Sequence, residues 1–314
     1  YTQAQDISVG FQVPLGFLAP GAPLNVPFPG TFLQGGEVTT TAYSLYGDVR
    51  YAISPVWALT AGARVSRDRK DSSEYQTAMA FGIDGRGALS GSWNSTPAKL
   101  GIEGQLDAQS LVYARSARGF KAGAINVGAL QGAPVRPETV SSVEVGLKTS
   151  FFAKRGQFGA ALFTSKYRDL QVIQIVGVGT ALQNAASASI RGAELELALR
   201  PVAALTLNGN LGWLDGQYRD FSSINQRAAP TGPAVNLAGK RLANTSRLQA
   251  AFGVQVDTAL AGQQASMRAD YAWRDKIYFN EFNTEDVSQK AYGLLNLSVT
   301  LSPPRGSGSW KTYA

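Results

Sequence analysis

Residues 245–257 read TSRLQAAFGVQVD. Leu248, Ala250, Phe252, Val254 and Val256 occupy alternate positions, with Arg247, Gln249, Gly253, Gln255 and Asp257 between them. A helix returns to the same face about every 3.6 residues, whereas an extended chain sorts side chains with period two. The stretch therefore reads as a strand with one apolar and one polar face. The next segment repeats the pattern, with Ala265, Met267, Ala269, Tyr271 and Trp273 against Ser266, Arg268, Asp270 and Arg274.

Toward the N-terminus the same alternation recurs. Leu205, Leu207, Leu211 and Trp213 oppose Thr206, Asn208 and Asn210, and Ala193, Leu195, Leu197 and Leu199 oppose Glu194 and Glu196. Val143, Val145, Leu147 and Phe151 oppose Glu144, Lys148 and Ser150. Leu100, Ile102 and Leu106 oppose Lys99, Glu103 and Gln105. Trp57, Leu59, Ala61, Ala63 and Val65 oppose Thr60, Arg64 and Ser66, and Tyr43, Leu45, Val49 and Tyr51 oppose Ser44, Asp48 and Arg50. Late in the chain, Leu295, Leu297, Val299 and Leu301 oppose Asn296, Ser298 and Thr300.

None of these apolar faces carries a charge, while the opposite faces carry many. Arg or Lys on the lipid side of a membrane strand costs about 2–4 kcal/mol at the bilayer midplane, which accounts for such an exclusion. Most segments reach the roughly 9–11 residues that a tilted membrane strand needs, beyond the five or six of a soluble strand. Tyr43, Tyr51, Trp57, Phe151, Trp213 and Trp273 sit toward the ends of the apolar stripes, where interfacial aromatics belong. A soluble β-sandwich also alternates, but strand length and charge exclusion favour a membrane. Residues 110–120 and 157–169 do not sort into two clean faces, so their orientation stays open.

Connections alternate in length. Short ones are expected near Ser54-Pro55, Asp107-Ala108, Ala153 to Gly156, Pro201 to Ala203, Thr258 to Gly262 and Ser302 to Gly308. Long ones are expected at Gly10 to Thr40, Lys70 to Gly91, Lys121 to Pro137, Phe221 to Gly239 and Ile277 to Lys290. Gln171 to Ala186 reads as a strand pair reaching above the membrane. Short turns on one side and long loops on the other describe an up-and-down barrel. The expectation is an all-β, transmembrane antiparallel barrel of about a dozen to fourteen strands, without a domain boundary inside residues 1–314.

Composition sets the limits on chemistry. The 314 residues are 44% apolar and only 16% charged, with no Cys and no His. Ser-His-Asp triads, imidazole bases, His-ligated zinc and thiolate chemistry are excluded. No carboxylate loop has EF-hand spacing, so neither a metal site nor a cofactor is expected. No window holds the run of about 18 apolar residues that a membrane helix needs. Net charge is +7, but the cations are scattered singly, so nucleic acid is not expected as a partner.

Several motifs in one order carry a resemblance. YARSARGFKAG (113–123), RPETVSSVEVGLK (136–148), FTSKYRDLQV (163–172), IRGAELEL (190–197), LGWLDGQYRDF (211–221) and GKRLANTS (239–246) together resemble the C-terminal barrel of TonB-dependent outer-membrane receptors. Two departures are local: Val143 replaces a usual aromatic, and Asn244-Thr245 a usual Pro. The resemblance implies a barrel of about 22 strands, of which this chain is expected to be a part, with the plug, the energy-coupling box and the closing strands outside it. It further implies a Gram-negative outer-membrane location and uptake rather than catalysis. A scarce ligand (a ferric siderophore or similar iron complex, cobalamin, haem or a glycan) would be captured outside the cell and moved with energy from the TonB complex. A passive porin or substrate-selective channel is the alternative.

Candidate site residues fall in two groups. Glu144, Lys148, Glu194, Glu196, Arg268 and Asp270 are expected to face the lumen as paired charges, and Glu194 with Glu196 is not expected to be a catalytic pair. Arg115, Arg118 and Lys121 approach the outer rim, and Tyr278, Phe279 and Phe282 lie in a late outer loop. The three cations suit an anionic ligand or the phosphates of outer-membrane lipid and lipopolysaccharide, or else only rim solvation. The three aromatics suit stacking on a ligand, or loop packing.

Overall fold

The computed structural model describes residues 2–12, 31–78, 83–128, 130, 133–176, 179–184, 187–225, 232–260, 262–303 and 312–313. Strands dominate. They are β1 (Thr2–Gln12), β2 (Thr31–Ala52), β3 (Trp57–Ala78), β4 (Ile83–Ser95), β5 (Ala98–Gln105), β6 (Ser110–Lys121), β7 (Glu138–Phe151), β8 (Gly156–Arg168), β9 (Gln171–Val176) and β10 (Gly179–Asn184). There follow β11 (Ser187–Val202), β12 (Leu205–Asp220), β13 (Ser222–Ser223), β14 (Val235–Asn236), β15 (Leu248–Leu260), β16 (Gln263–Arg274), β17 (Ile277–Tyr278), β18 (Ser288–Gln289), β19 (Tyr292–Ser302) and β20 (Thr312–Tyr313). Fourteen of them form one antiparallel sheet in the order β1-β2-β3-β5-β6-β7-β8-β11-β12-β15-β16-β19-β20, with β4 on the upper half of β3. The path is open, with β1 at one end and β20 at the other.

Register extends the alternation across strands. Tyr51, Leu59, Ile102, Ala114, Val145, Leu162, Ala193, Trp213 and Leu248 form one cross-strand row from β2 to β15. Their side chains share one face, because opposed residues in a ladder point the same way. This apolar face is solvent-accessible, not a dry core: Leu45 is 80% exposed and Leu297 70% exposed. A water-soluble sheet would bury such a row against a second layer. Here the row is the lipid-facing side of a membrane barrel wall.

The structure orients the two segments that sequence left open. On β6, Val112, Ala114, Ser116 and Arg118 pair with Leu147, Val145, Val143 and Ser141, so they share the apolar face, while Tyr113 and Arg115 point the other way. On β8, Phe158, Ala160, Leu162, Thr164 and Lys166 share the apolar face, and Phe163 and Tyr167 the polar one. Arg118 and Lys166 break the apolar pattern at the upper end of each stripe, which is why period two was not legible there.

Two expected long loops are shorter than their stretches suggest. Between Lys70 and Gly91 the chain continues as β3 and β4, paired from Ser66↔Ser95 to Ala78↔Ile83. Between Gly10 and Thr40, β1 and β2 pair up to Gln12↔Thr31, and residues 13–30 lie outside the described residues. Both hairpins stand above the apolar band. There neither face meets lipid, so small and hydroxylated residues such as Ser72, Ser73, Gly85 and Ser90 need not alternate with apolar ones. Thr96-Pro97 separates β4 from β5: proline has no N–H for the ladder, and the Pro97 carbonyl instead accepts from the Arg64 N–H at 2.9 Å.

The remaining described connections lie where expected, and the short one expected at Ser302 to Gly308 falls largely outside the described residues. Short turns close β2–β3, β5–β6, β7–β8, β11–β12 and β15–β16, the last through residue 261, outside the described residues. At the opposite end, β9–β10, β13–β14 and β17–β18 form separate two-stranded sheets, and Glu285–Val287 makes a single 3₁₀ turn. Parts of five connections (129, 131–132, 177–178, 185–186, 226–231 and 304–311) lie outside the described residues.

Candidate functional site

The polar face of the sheet carries charges of both signs, and they pair within one strand, between neighbouring strands or across an intervening one. Lys99 meets Asp48 at 2.6 Å and Arg50 meets Glu103 at 3.2 Å. Arg268 forks onto Asp270, with both contacts at 2.6 Å. Arg115 donates to Glu144 at 2.8 Å, and the Tyr113 hydroxyl donates to the other oxygen of the same carboxylate at 2.7 Å.

The last contact explains part of a motif. Gly146 lies opposite Tyr113, and a Cβ there would come within 2.5 Å of the tyrosine ring. The glycine in Glu144-Val-Gly146 thus leaves room for the ring to lie across β7 and reach Glu144. Gly192 serves Phe163 in the same way, at 2.5 Å from the ring. A bare backbone under an aromatic ring is a strand-to-strand packing device, and it accounts for a glycine recurring beside the Glu-x-Glu stretch.

All six residues expected to face the lumen lie on this polar face. Glu144 and Lys148 lie on β7, Glu194 and Glu196 on β11, and Arg268 and Asp270 on β16. Glu196 and Lys148 border a hollow of about 540 Å³ with Gln157, Asn208 and Asn210. Among the described residues, no cluster of three or more acidic groups could hold a metal ion.

The six rim and loop candidates are not brought to one place. Register splits the cations: Arg115 and Lys121, opposite Glu144 and Glu138, lie on the polar face, while Arg118, opposite Ala98 and Ser141, lies on the apolar face. Tyr278 donates to Glu285 at 3.0 Å and lies under Lys276 and Arg241, 5.2 and 6.0 Å from its ring centre. Phe282 packs on a buried cluster of Tyr218, Phe221 and Leu237, along with Leu170, Val172 and Leu242. Phe279 is exposed.

Polar contacts that the sequence did not reveal tie the long-loop end together. The buried Glu74 carboxylate accepts from the N–H groups of Gly128 at 2.8 Å and Leu130 at 3.3 Å. Asn126 exchanges hydrogen bonds with the Leu182 backbone in both directions at 2.8 Å. Asn283 accepts from the Arg241 N–H at 2.8 Å, and Ser223 donates to Glu281 at 3.1 Å. Asn244 has φ 58°, and its N–H donates to the Tyr278 carbonyl at 2.8 Å; a proline there would offer neither. Asp215, 5% exposed, collects Arg191 at 2.9 Å and Arg247 at 3.3 Å where β12 leaves the apolar band. Each contact joins segments far apart in the chain, so no local spacing signals it.

A one-layer antiparallel sheet, apolar on one face and ionic on the other, with short turns at one end and knitted loops at the other, defines the wall of a membrane β-barrel. The family model described as "TonB dependent receptor-like, beta-barrel" matches residues 3–314, and the chain belongs to that family. Solved structures with the same fold include the ferric yersiniabactin uptake receptor FyuA from Yersinia pestis, at TM-score 0.73 and 18% identity over 87% of this chain and 41% of that one. The siderophore receptor PiuA from Acinetobacter baumannii matches at TM-score 0.71 and 18% identity, over 90% of this chain and 40% of that one. The copper transporter OprC matches at TM-score 0.61 and 13% identity, over 87% and 46%. The chain therefore spans less than half the length of each of these three structures.

Proposed function

We propose that this chain forms part of the wall of a receptor in the outer membrane of a Gram-negative bacterium. The receptor takes up a scarce ligand, a ferric siderophore or a similar iron complex, with energy from the TonB complex. One observation carries the reading: a barrel of this receptor family combines an ionic inner face with a loop end held together by long-range contacts. Such a loop end is a rigid frame for capture. FyuA and PiuA are named for siderophores and OprC for copper, which supports metal complexes over glycans as cargo. In this reading Arg115 and Lys121 attract an anionic complex from the polar face, and Tyr278, Phe279 and Phe282 belong to the loop that borders the entrance. Glu144, Lys148, Glu194 and Glu196 line the passage.

The test uses the full-length receptor. Ferric siderophores of the catecholate, hydroxamate and mixed classes are titrated against it by intrinsic fluorescence. Low-micromolar or tighter binding of one of them is expected, lost when residues 277–290 are replaced by a short Gly-Ser linker. Uptake of that complex in cells is expected to stop when the proton gradient is collapsed. Uptake that continues without the gradient, or steady ion conductance of the receptor in planar bilayers, contradicts active transport and marks a passive channel. A full-length gene without a plug region also contradicts it.

A further inference from the structure

On the polar face, near the short-turn end, register sets Lys148 of β7, Gly159 of β8, Glu196 of β11 and Asn210 of β12 in one cross-strand row. The next row toward the turns runs through Gln157, Ala198 and Asn208. Glycine and alanine leave the wall bare between the longer side chains, and the hollow of about 540 Å³ opens there. That size falls within the roughly 300–1,000 Å³ of small-ligand clefts. Two strand spacings separate Lys148 from Glu196, about 10 Å between their backbones. Glu196 leans over the glycine, its carboxylate 3.9 Å from where a Gly159 Cβ would be.

Asp48 and Lys99 stand in the same arrangement, across Gly62 of β3, and close on each other at 2.6 Å. Lys148 and Glu196 do not. Among the described residues they make no ion pair, with each other or with a third group, and the side chains of Gln157, Asn208 and Asn210 make no hydrogen bond. Glutamate is longer than aspartate, so reach does not keep this second pair apart. The wall therefore holds a cation, an anion and three amides round one hollow, all uncommitted, where neighbouring parts of the same face use their charges on each other.

We infer that the hollow binds a small zwitterion. Its carboxylate lies on the Lys148 ammonium, its own ammonium on the Glu196 carboxylate, and Gln157, Asn208 and Asn210 bond the polar atoms between. The lining carries one charge of each sign, so a simple anion or cation is repelled by one group as it is attracted by the other. A zwitterion gains at both. Charge-assisted hydrogen bonds are roughly twice as strong as neutral ones, and one at each end fixes the direction in which the molecule lies. The ligand class is a compact molecule whose opposite charges stand about one strand spacing apart, roughly 5 Å, as in an ω-amino acid. The inference follows from the polar wall alone and holds whether or not the receptor moves an iron complex.

The probe is γ-aminobutyrate, titrated against the full-length receptor in a neutral detergent and followed by saturation-transfer NMR. Butyrate and butylamine, which carry one charge each, are the comparison ligands. Saturable binding at millimolar concentration or below is expected, about tenfold or more tighter than either comparison. Lys148→Gln and Glu196→Gln should each remove that advantage. Lys148→Glu/Glu196→Lys should restore it, because a zwitterion can turn round, and this guards against single variants that merely misfold. Gly159→Val should abolish binding: a Cβ there meets only ordinary contacts, so the wall accepts the side chain while the hollow fills. Lys99→Gln, elsewhere on the polar face, should bind as the unaltered receptor does. Equal binding of the singly charged ligands, retention by Gly159→Val, a swapped variant no better than the single ones, or no saturable binding at millimolar concentration overturns the inference. None of these readouts involves an iron complex, so failure of the transport reading leaves them interpretable.

Discussion

Leu195 offers a direct energetic test of which side of the sheet meets lipid. It lies on β11 between Ala160 of β8 and Leu211 of β12, within the apolar band. Arginine at this depth costs about 2–4 kcal/mol. Nothing nearby offsets that: the apolar face of β8 and β11 carries no carboxylate, and Asp215 already serves Arg191 and Arg247. Asn210, opposite Glu196, provides the comparison on the other face. There an arginine meets an acid in a wet interior, and its effect is expected within about 0.5 kcal/mol of zero. Leu195→Arg should therefore shift the unfolding equilibrium by about thirty- to nine-hundred-fold, and Asn210→Arg by little. The measurement is reversible urea unfolding of the full-length receptor in phosphocholine vesicles, followed by tryptophan emission. A Leu195→Arg loss under 0.5 kcal/mol, or an equal loss for Asn210→Arg, would refute the assignment of faces.

Gly146→Val puts atoms where the Tyr113 ring lies and should break the Tyr113–Glu144 hydrogen bond; the loss expected is about 1.5–3 kcal/mol. Tyr113→Ala in the same chain should recover part of it, and a double-mutant cycle showing no coupling contradicts the packing account. The late loop should respond to acid. Lys276, and then Tyr278, hold the Glu285 carboxyl below its ordinary value through hydrogen bonds. A depressed carboxyl contributes stability above its unfolded pKa of about 4.3 and loses it as pH falls through the lower folded value. Hydrogen exchange in residues 276–289, corrected for intrinsic rates, should therefore be unchanged from pH 8 to 5 and rise in stronger acid. Glu285→Gln should be fast at all these pH values, and acid-insensitive protection in the unaltered loop contradicts the contact.

Fold was legible where lipid imposes it. Between Thr245 and Asp257 hydrocarbon on one side and water on the other dictate alternate residues, and β15 follows that alternation. Above the band the constraint lapses, so the chain around Lys70 to Gly91 read as a loop although it continues as β3 and β4. β6 and β8 failed to sort for a different reason. Arg118, Lys166 and Arg168 lie on the lipid side at its upper edge, and Tyr113 and Phe163 lie on the polar side over Gly146 and Gly192. Pairing register, which a single sequence does not contain, separated them. Period two alone puts Arg115 and Arg118, three residues apart on one strand, on opposite faces; the register shows which of the two lies on the apolar side. The contacts of Glu74 with Gly128 and of Asn126 with Leu182 cross long stretches of chain, and no local pattern encodes them.

The arrangement of faces can be read residue by residue along β15. The chain has no cysteine, so in a receptor freed of any cysteine elsewhere a single nitroxide can be attached in turn at each position from Leu248 to Asp257, with the protein in vesicles. Collision with oxygen, which concentrates in hydrocarbon, is compared with collision with a water-soluble nickel chelate. Oxygen should dominate at 248, 250, 252, 254 and 256 and nickel at the positions between them. A flat profile, or the opposite phase, would contradict the account.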